Sequence, residues 1–194
     1  KTATTSIQQF LRHHDGALAE RGVFYPNYDL IGRNGHYAHL GMVNGLMGRH
    51  KNYTRQTAEK FFAKVRERAK DFDTTIISAE PLYRHVENAP GDSPYYAPEE
   101  YWPLRHAFID RMRDVFGEAE VVVVFRRQMD YAQSLYQEHV KVTGYKDNFK
   151  DFRSSHWFHF VFAEQAEAWN ARFPGLKAIE NKLWAIKNII GSTR

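Results

Sequence analysis

The sequence contains no cysteine, and it has no apolar run of the roughly eighteen residues needed to cross a bilayer. The lack of cysteine excludes disulfide frameworks, thiolate-ligated zinc or iron–sulfur sites, and cysteine nucleophiles. The lack of a long apolar run predicts that the chain has no transmembrane segment. Since no signal peptide is visible either, we expect a cytoplasmic location.

The composition that remains is that of one globular domain. The chain has 194 residues, of which 43% are hydrophobic and 15% aromatic. A chain of this length buries about 70% of the surface that it exposes when unfolded, so a full core is available. The net charge of +4 suggests an anionic partner. Because this small surplus is spread along the chain, we do not expect that partner to be nucleic acid.

Apolar patterning predicts helices that alternate with short strands. The predicted helices cover residues 4–20, 36–48, 56–70, 99–116, 129–142 and 156–172, and the predicted strands cover residues 74–78, 120–125 and 176–179. The strand over 120–125 is apolar without alternation, which is typical of a parallel strand covered on both faces. The pattern predicts an α/β fold with a central parallel sheet flanked by helices.

The first six residues combine a lysine with several hydroxyl groups at the start of a predicted helix. They are Lys1, Thr2, Ala3, Thr4, Thr5 and Ser6. The free N–H groups and the positive dipole end of a helix N-terminus attract anions, so this segment predicts a phosphate-binding site. The alternative is ordinary helix capping by Ser and Thr side chains.

A second segment, FRRQMDYAQSLYQEHVK, joins the strongest predicted strand to a helix. Arg126 closes the strand, and Ser134 lies eight residues further on, inside the helix. Open α/β sheets bind ligands at the carboxyl ends of their strands. An arginine there can form two charge-assisted bonds to a phosphate, and a serine can add a third contact. The alternative is a basic pair that only ends a strand, with the serine facing water.

Taken together, the K-T-x-T-T-S helix start and the V-V-V-F-R…S-x-Y segment resemble the sulfotransferase family, in particular its bacterial and carbohydrate-acting branch. This family transfers a sulfuryl group from 3′-phosphoadenosine 5′-phosphosulfate to an acceptor. The resemblance implies a P-loop-type three-layer domain over residues 1–194, with a first strand expected before Lys1. Ala3 departs from the family pattern, which has glycine at that position.

The resemblance also implies roles for individual residues. The segment from Lys1 to Ser6 would hold the 5′-phosphosulfate, with Lys1 against the leaving phosphate oxygen. Arg126 and Ser134 would hold the 3′-phosphate. The acceptor would be a hydroxyl group of a small molecule or carbohydrate, and no metal would be required.

The acceptor hydroxyl must lose its proton during transfer, which calls for a general base. Glu80 is the first candidate, because it follows the strand predicted over residues 74–78 and family members place a catalytic Glu or His there. The alternative for Glu80 is a helix-start carboxylate beside Pro81. His36 and His39 are the next candidates, since histidine acts as a base near neutral pH. They form an HxxH pair, but the sequence offers no third metal ligand at a useful spacing.

Two other functions stay open from the residues alone. A P-loop kinase would use a similar lysine-bearing helix start with ATP and magnesium, but it would need an acidic magnesium ligand at a strand end. A non-catalytic α/β module that binds polyanions would use the same basic residues. It would lose affinity steeply with added salt and would ignore mononucleotides.

Overall fold

A computed structural model describes residues 4–87 and 96–180 of the chain. These residues are mostly helical and carry two separate two-stranded parallel sheets. They divide into two compact units. The N-terminal unit comprises residues 4–87 and 110–117, and the C-terminal unit comprises residues 96–109 and 118–180. The single domain over residues 1–194 stays a prediction.

The α/β prediction of one central parallel sheet flanked by helices is wrong for the part of the chain that is described. Strand β1 (Val23–Phe24) pairs only with β2 (Thr74–Thr75), and β3 (Val122–Phe125) pairs only with β4 (Lys177–Glu180). Each pair is parallel, as expected, but the pairs belong to different units. Helix–strand alternation shows that parallel pairing is possible, but it does not show which strands share a sheet.

The N-terminal unit contains five complete helices and the β1–β2 sheet. The helices are α1 (Thr4–His13), α2 (Asp15–Ala19), α3 (Leu40–Leu46), α4 (Arg55–Ala69) and α5 (Pro81–Arg84), with a 3-10 turn at Tyr28–Ile31. Residues 110–117 add the end of helix α6 (Pro98–Phe116) to this unit. The helix predicted over residues 4–20 is therefore two helices, which meet at His14.

Helix α4 forms where the apolar periodicity predicts it. The side chain of Thr54 accepts a hydrogen bond from the backbone N–H of Thr57 at 3.2 Å, so one free N–H at the helix start is satisfied. The buried residues of α4 recur at helical spacing: Ala58, Phe61, Phe62 and Val65. This face packs on α3. The basic side chains between these positions are exposed.

The C-terminal unit contains the first part of α6, the β3–β4 sheet and three further helices. These are α7 (Gln128–Thr143), α8 (Phe149–Ser155) and α9 (Phe162–Asn170), with a 3-10 turn at Trp157–His159. Its core includes Ala132 and Leu135 of α7 together with Phe152 and Phe160. Gly144 ends α7 with a φ of +67°, a conformation that glycine adopts without strain.

None of the helices over residues 4–87 and 96–180 is both long and apolar enough to span a membrane. The longest of them, α6, covers 19 residues and carries several charged side chains.

Candidate functional site

The start of helix α1 lies against the candidate base in the N-terminal unit. The hydroxyl of Thr4 donates a hydrogen bond to Oε1 of Glu80 at 3.1 Å. One turn further along α1, Nε2 of Gln8 donates to the Ser78 hydroxyl at 2.9 Å. The first turn of α1 therefore lies beside the segment that follows β2, although the contacting residues are 70 and 76 positions apart in sequence.

No acidic residue occupies the first turn of α1, and Thr5 and Ser6 are exposed there. The first N–H groups of a helix have no partner within the helix, and the dipole places partial positive charge on them. An anion that reached this turn would meet backbone N–H groups and hydroxyl donors. Lys1, Thr2 and Ala3, which complete the predicted phosphate-binding segment, lie outside the described residues.

Glu80 is exposed and comes directly before Pro81, the first residue of α5. Its side chain makes no hydrogen bond to a backbone N–H of that helix. The carboxylate is thus free of a capping role, while its Oε1 accepts the Thr4 hydroxyl. An exposed carboxylate next to a helix N-terminus can receive a proton from a bound hydroxyl group.

His39 is fixed inside the N-terminal unit, with 1% of its surface exposed. The backbone N–H of Ser78 donates to its Nδ1 at 3.0 Å, so the neutral ring carries its proton on Nε2 and donates to the carbonyl oxygen of Pro26 at 2.8 Å. Burial lowers the pKa of His39 to about 4. Both ring nitrogens of His39 therefore hold the Pro26 loop against the segment that leads to Glu80.

His36 differs from His39 because its ring is exposed. Its Nδ1 accepts a hydrogen bond from the backbone N–H of Ala38 at 3.1 Å, and the ring stacks on Tyr37. Of the three candidate bases, Glu80 is the one with a contact to the α1 start among the hydrogen bonds described above.

Arg126 and Ser134 occupy the predicted positions in the C-terminal unit. Arg126 is half-buried and follows the last residue of β3, while Ser134 is half-buried on α7. The strand and helix have nearly the predicted bounds, since residues 120–125 and 129–142 were expected. Arg126 thus directly follows β3, and Ser134 lies in the second turn of the helix that comes next in the chain, as predicted.

The structure does not support one argument that linked these residues. Glu80 follows β2 and Arg126 follows β3, which belong to different sheets in different units. A shared sheet edge therefore does not bring them together. Sequence reasoning also missed Gln8 and Ser78, although a glutamine on the apolar face of an amphipathic helix signals a buried polar contact.

Over residues 4–87 and 96–180, no three His, Cys, Asp or Glu side chains are grouped closely enough to hold a metal ion. Comparisons of the chain with protein-family models, with curated proteins and with solved structures find no match.

Proposed function

We propose that this chain is a sulfotransferase, which moves a sulfuryl group from 3′-phosphoadenosine 5′-phosphosulfate to a hydroxyl group of a small molecule or carbohydrate in the cytoplasm. The observation that carries the proposal is the hydrogen bond between the Thr4 hydroxyl and Glu80 at the start of α1. It places the candidate base beside the segment assigned to the 5′-phosphosulfate, where an acceptor hydroxyl that attacks the sulfur must lose its proton.

The chemistry is an in-line displacement. The acceptor oxygen forms a bond to sulfur while the bond between sulfur and the 5′-phosphate oxygen breaks, and the acceptor proton passes to the Glu80 carboxylate. Negative charge develops on the leaving phosphate, where Lys1 and the first N–H groups of α1 would stabilise it. The protein contributes position and charge, and no metal is needed for these steps.

The contact between Thr4 and Glu80 gives the donor a direct effect on the base. A threonine hydroxyl has a single hydrogen to donate. When that hydroxyl donates to a phosphate oxygen of the bound nucleotide, it can no longer donate to Oε1 of Glu80. Donor binding therefore leaves the carboxylate available to the acceptor hydroxyl.

In the C-terminal unit, the junction of β3 and α7 supports a role in recognising the 3′-phosphate. Arg126 supplies a guanidinium that can bind a phosphate through two parallel hydrogen bonds, and the Ser134 hydroxyl supplies a third donor. This part of the proposal predicts that the 3′-phosphate contributes strongly to affinity.

Thermal unfolding of the full chain tests the proposal, with 3′-phosphoadenosine 5′-phosphate, ADP, or ATP plus magnesium as the added nucleotide. We expect 3′-phosphoadenosine 5′-phosphate to raise the melting temperature by a few degrees without magnesium, because a ligand at a hundred times its Kd stabilises by about 2.7 kcal/mol. ADP, which lacks the 3′-phosphate, is the matched control and should have a much smaller effect at the same concentration.

Two results would contradict the proposal. A shift with ATP and magnesium alone would indicate a kinase. No shift with any nucleotide, combined with salt-sensitive binding to heparin, would indicate a polyanion-binding module.

A further inference from the structure

The C-terminal unit has an open groove of about 380 Å³ that has no part in the proposed sulfuryl transfer. Small-molecule sites have volumes of about 300–1,000 Å³. The groove lies between the first residue of α7, helix α8 and the turn that follows it. The side chains used here are Gln128, Lys150, Arg153, Ser154, Trp157 and Phe160.

The groove carries two cations and no acidic lining residue. Lys150 and Arg153 are three residues apart on α8, so they lie on the same side of the helix. Among the described residues neither side chain forms an ion pair, and the neighbouring Asp151 carboxylate accepts a hydrogen bond from Asn148 instead. Two like charges so placed repel each other, and an anion bound between them would relieve that repulsion.

Aromatic and polar groups line the same groove. The indole of Trp157 is held in place because its Nε1 donates to the backbone carbonyl oxygen of Tyr96 at 2.9 Å. A fixed aromatic face packs well against a ring. The Gln128 amide N–H donates to the Phe160 carbonyl oxygen, and the Ser154 hydroxyl donates to the Lys150 carbonyl oxygen at 3.2 Å. The amide oxygen of Gln128 and the lone pairs of the Ser154 oxygen can accept hydrogen bonds from hydroxyls of a ligand.

We propose that this groove binds a ring compound that carries a phosphate monoester, with the phosphate between Lys150 and Arg153 and the ring against Trp157. A phosphate monoester has a charge of about −1.5 to −2 at pH 7. This charge balances two cations more fully than the single negative charge of a carboxylate. A sugar phosphate and an aryl phosphate share this chemistry. The site is separate from the roles assigned to Arg126, Ser134 and Glu80, and it does not depend on sulfuryl transfer.

Calorimetric titration of the full chain tests this proposal with four probes: glucose 6-phosphate, phenyl phosphate, inorganic phosphate and glucose. We expect at least one ring phosphate to bind with a Kd at least tenfold below that of inorganic phosphate, and glucose to give no measurable binding. Stronger binding of glucose 6-phosphate than of phenyl phosphate identifies the sugar as the preferred ring. The reverse order identifies an aryl ring.

Variants assign the binding to the groove. The double variant Lys150→Gln with Arg153→Gln should weaken the better ring phosphate at least tenfold, and Trp157→Phe should weaken it about threefold. The matched control is Lys141→Gln with Lys146→Gln, which removes two exposed cations of the same unit that do not line the groove. Its affinity should equal that of the parent chain.

Three results would overturn the proposal. They are equal affinity for inorganic phosphate and both ring phosphates, no detectable binding of either ring phosphate, and equal loss in the groove and control double variants. Far-UV circular dichroism of each variant verifies that a loss of binding does not come from unfolding.

Discussion

The buried His39 predicts a specific loss of stability in mild acid. Its pKa falls from 6.5 to about 4 on folding because burial disfavours the charged ring. The unfolded chain therefore binds more protons than the folded chain between these two values, and stability decreases as the pH falls through this window. The difference between these two pKa values corresponds to roughly 3–4 kcal/mol in total.

Roughly 2 kcal/mol of this loss should occur between pH 7 and pH 5, since the unfolded state is almost fully protonated at pH 5 and the folded state is not. The structural reason is the pair of hydrogen bonds at the ring. A second ring proton would place an N–H at Nδ1 directly against the N–H of Ser78, which donates to that atom in the neutral state. The charged ring would also lie in a core from which water is excluded.

The assay is urea unfolding at pH 7 and at pH 5, followed by far-UV circular dichroism. His39→Gln removes the ring and its two hydrogen bonds, so this variant should be less stable than the parent chain at pH 7. Because glutamine does not titrate, the variant should lose roughly 2 kcal/mol less stability than the parent chain on acidification. The exposed His13 provides the control for replacing a histidine by glutamine, and His13→Gln should have nearly the parent stability at pH 7. Burial also lowers the pKa of His156 to about 4, but His156 is present in all three proteins, so its pH-dependent contribution cancels in the comparison. An equal loss in the parent and His39→Gln would refute this reasoning.

Three further predictions concern single residues. Gly22→Ala should destabilise the chain by about 1–2 kcal/mol in urea, because its φ of +75° is strained for any residue with a side chain, whereas Gly16→Ala in helix α2 should be neutral or stabilising. Glu80→Gln should tighten 3′-phosphoadenosine 5′-phosphate up to about fivefold in calorimetry, because it removes a like charge close to the phosphates, and should lower turnover at least about a hundredfold; unchanged turnover would assign the base elsewhere. Arg126→Ala should weaken the same nucleotide by about 1.5–3 kcal/mol, and an unchanged Kd in a folded variant would remove Arg126 from the site.

The bounds of helices could be predicted from the sequence where apolar residues recur at helical spacing or where a single residue type, such as glycine, marks the end. Helix α4 was expected over residues 56–70 and occupies Arg55–Ala69, and α7 was expected over residues 129–142 and occupies Gln128–Thr143, with Gly144 at its end. A periodic apolar face decides whether a long helix exists, and a glycine after that face decides where it ends. Neither decision depends on which part of the chain lies next to the helix.

The sequence was much less informative about strands. Val23–Phe24 lies outside every predicted strand, because two residues are too few to show alternation. These residues become a strand only by pairing with Thr74–Thr75, about fifty residues later. The strand expected over residues 74–78 is correspondingly short. Pairing is decided by contacts between distant segments, so the division into two sheets had no local signal.

The candidate site shows the same limit. The hydroxyl groups of the α1 start and Glu80 were each identifiable from their residue types and flanking elements. Their contact joins residues 4 and 80, and hydrophobic periodicity does not reveal a contact between such distant residues.

The region over residues 156–172 was expected as one helix, but it is a 3-10 turn followed by α9, and that turn places Trp157 at the groove. Clustered aromatic residues gave no period from which the break could be predicted.

The most direct test of the central claim is transfer of the sulfuryl group itself. The full chain is incubated with 3′-phosphoadenosine 5′-phosphosulfate and a panel of sugars and alcohols, without magnesium, and release of 3′-phosphoadenosine 5′-phosphate is measured. The account predicts release that depends on a hydroxyl acceptor and falls at least about a hundredfold in Glu80→Gln. Intact donor after prolonged incubation with every acceptor, in a folded protein that also fails to bind the product nucleotide, would contradict it.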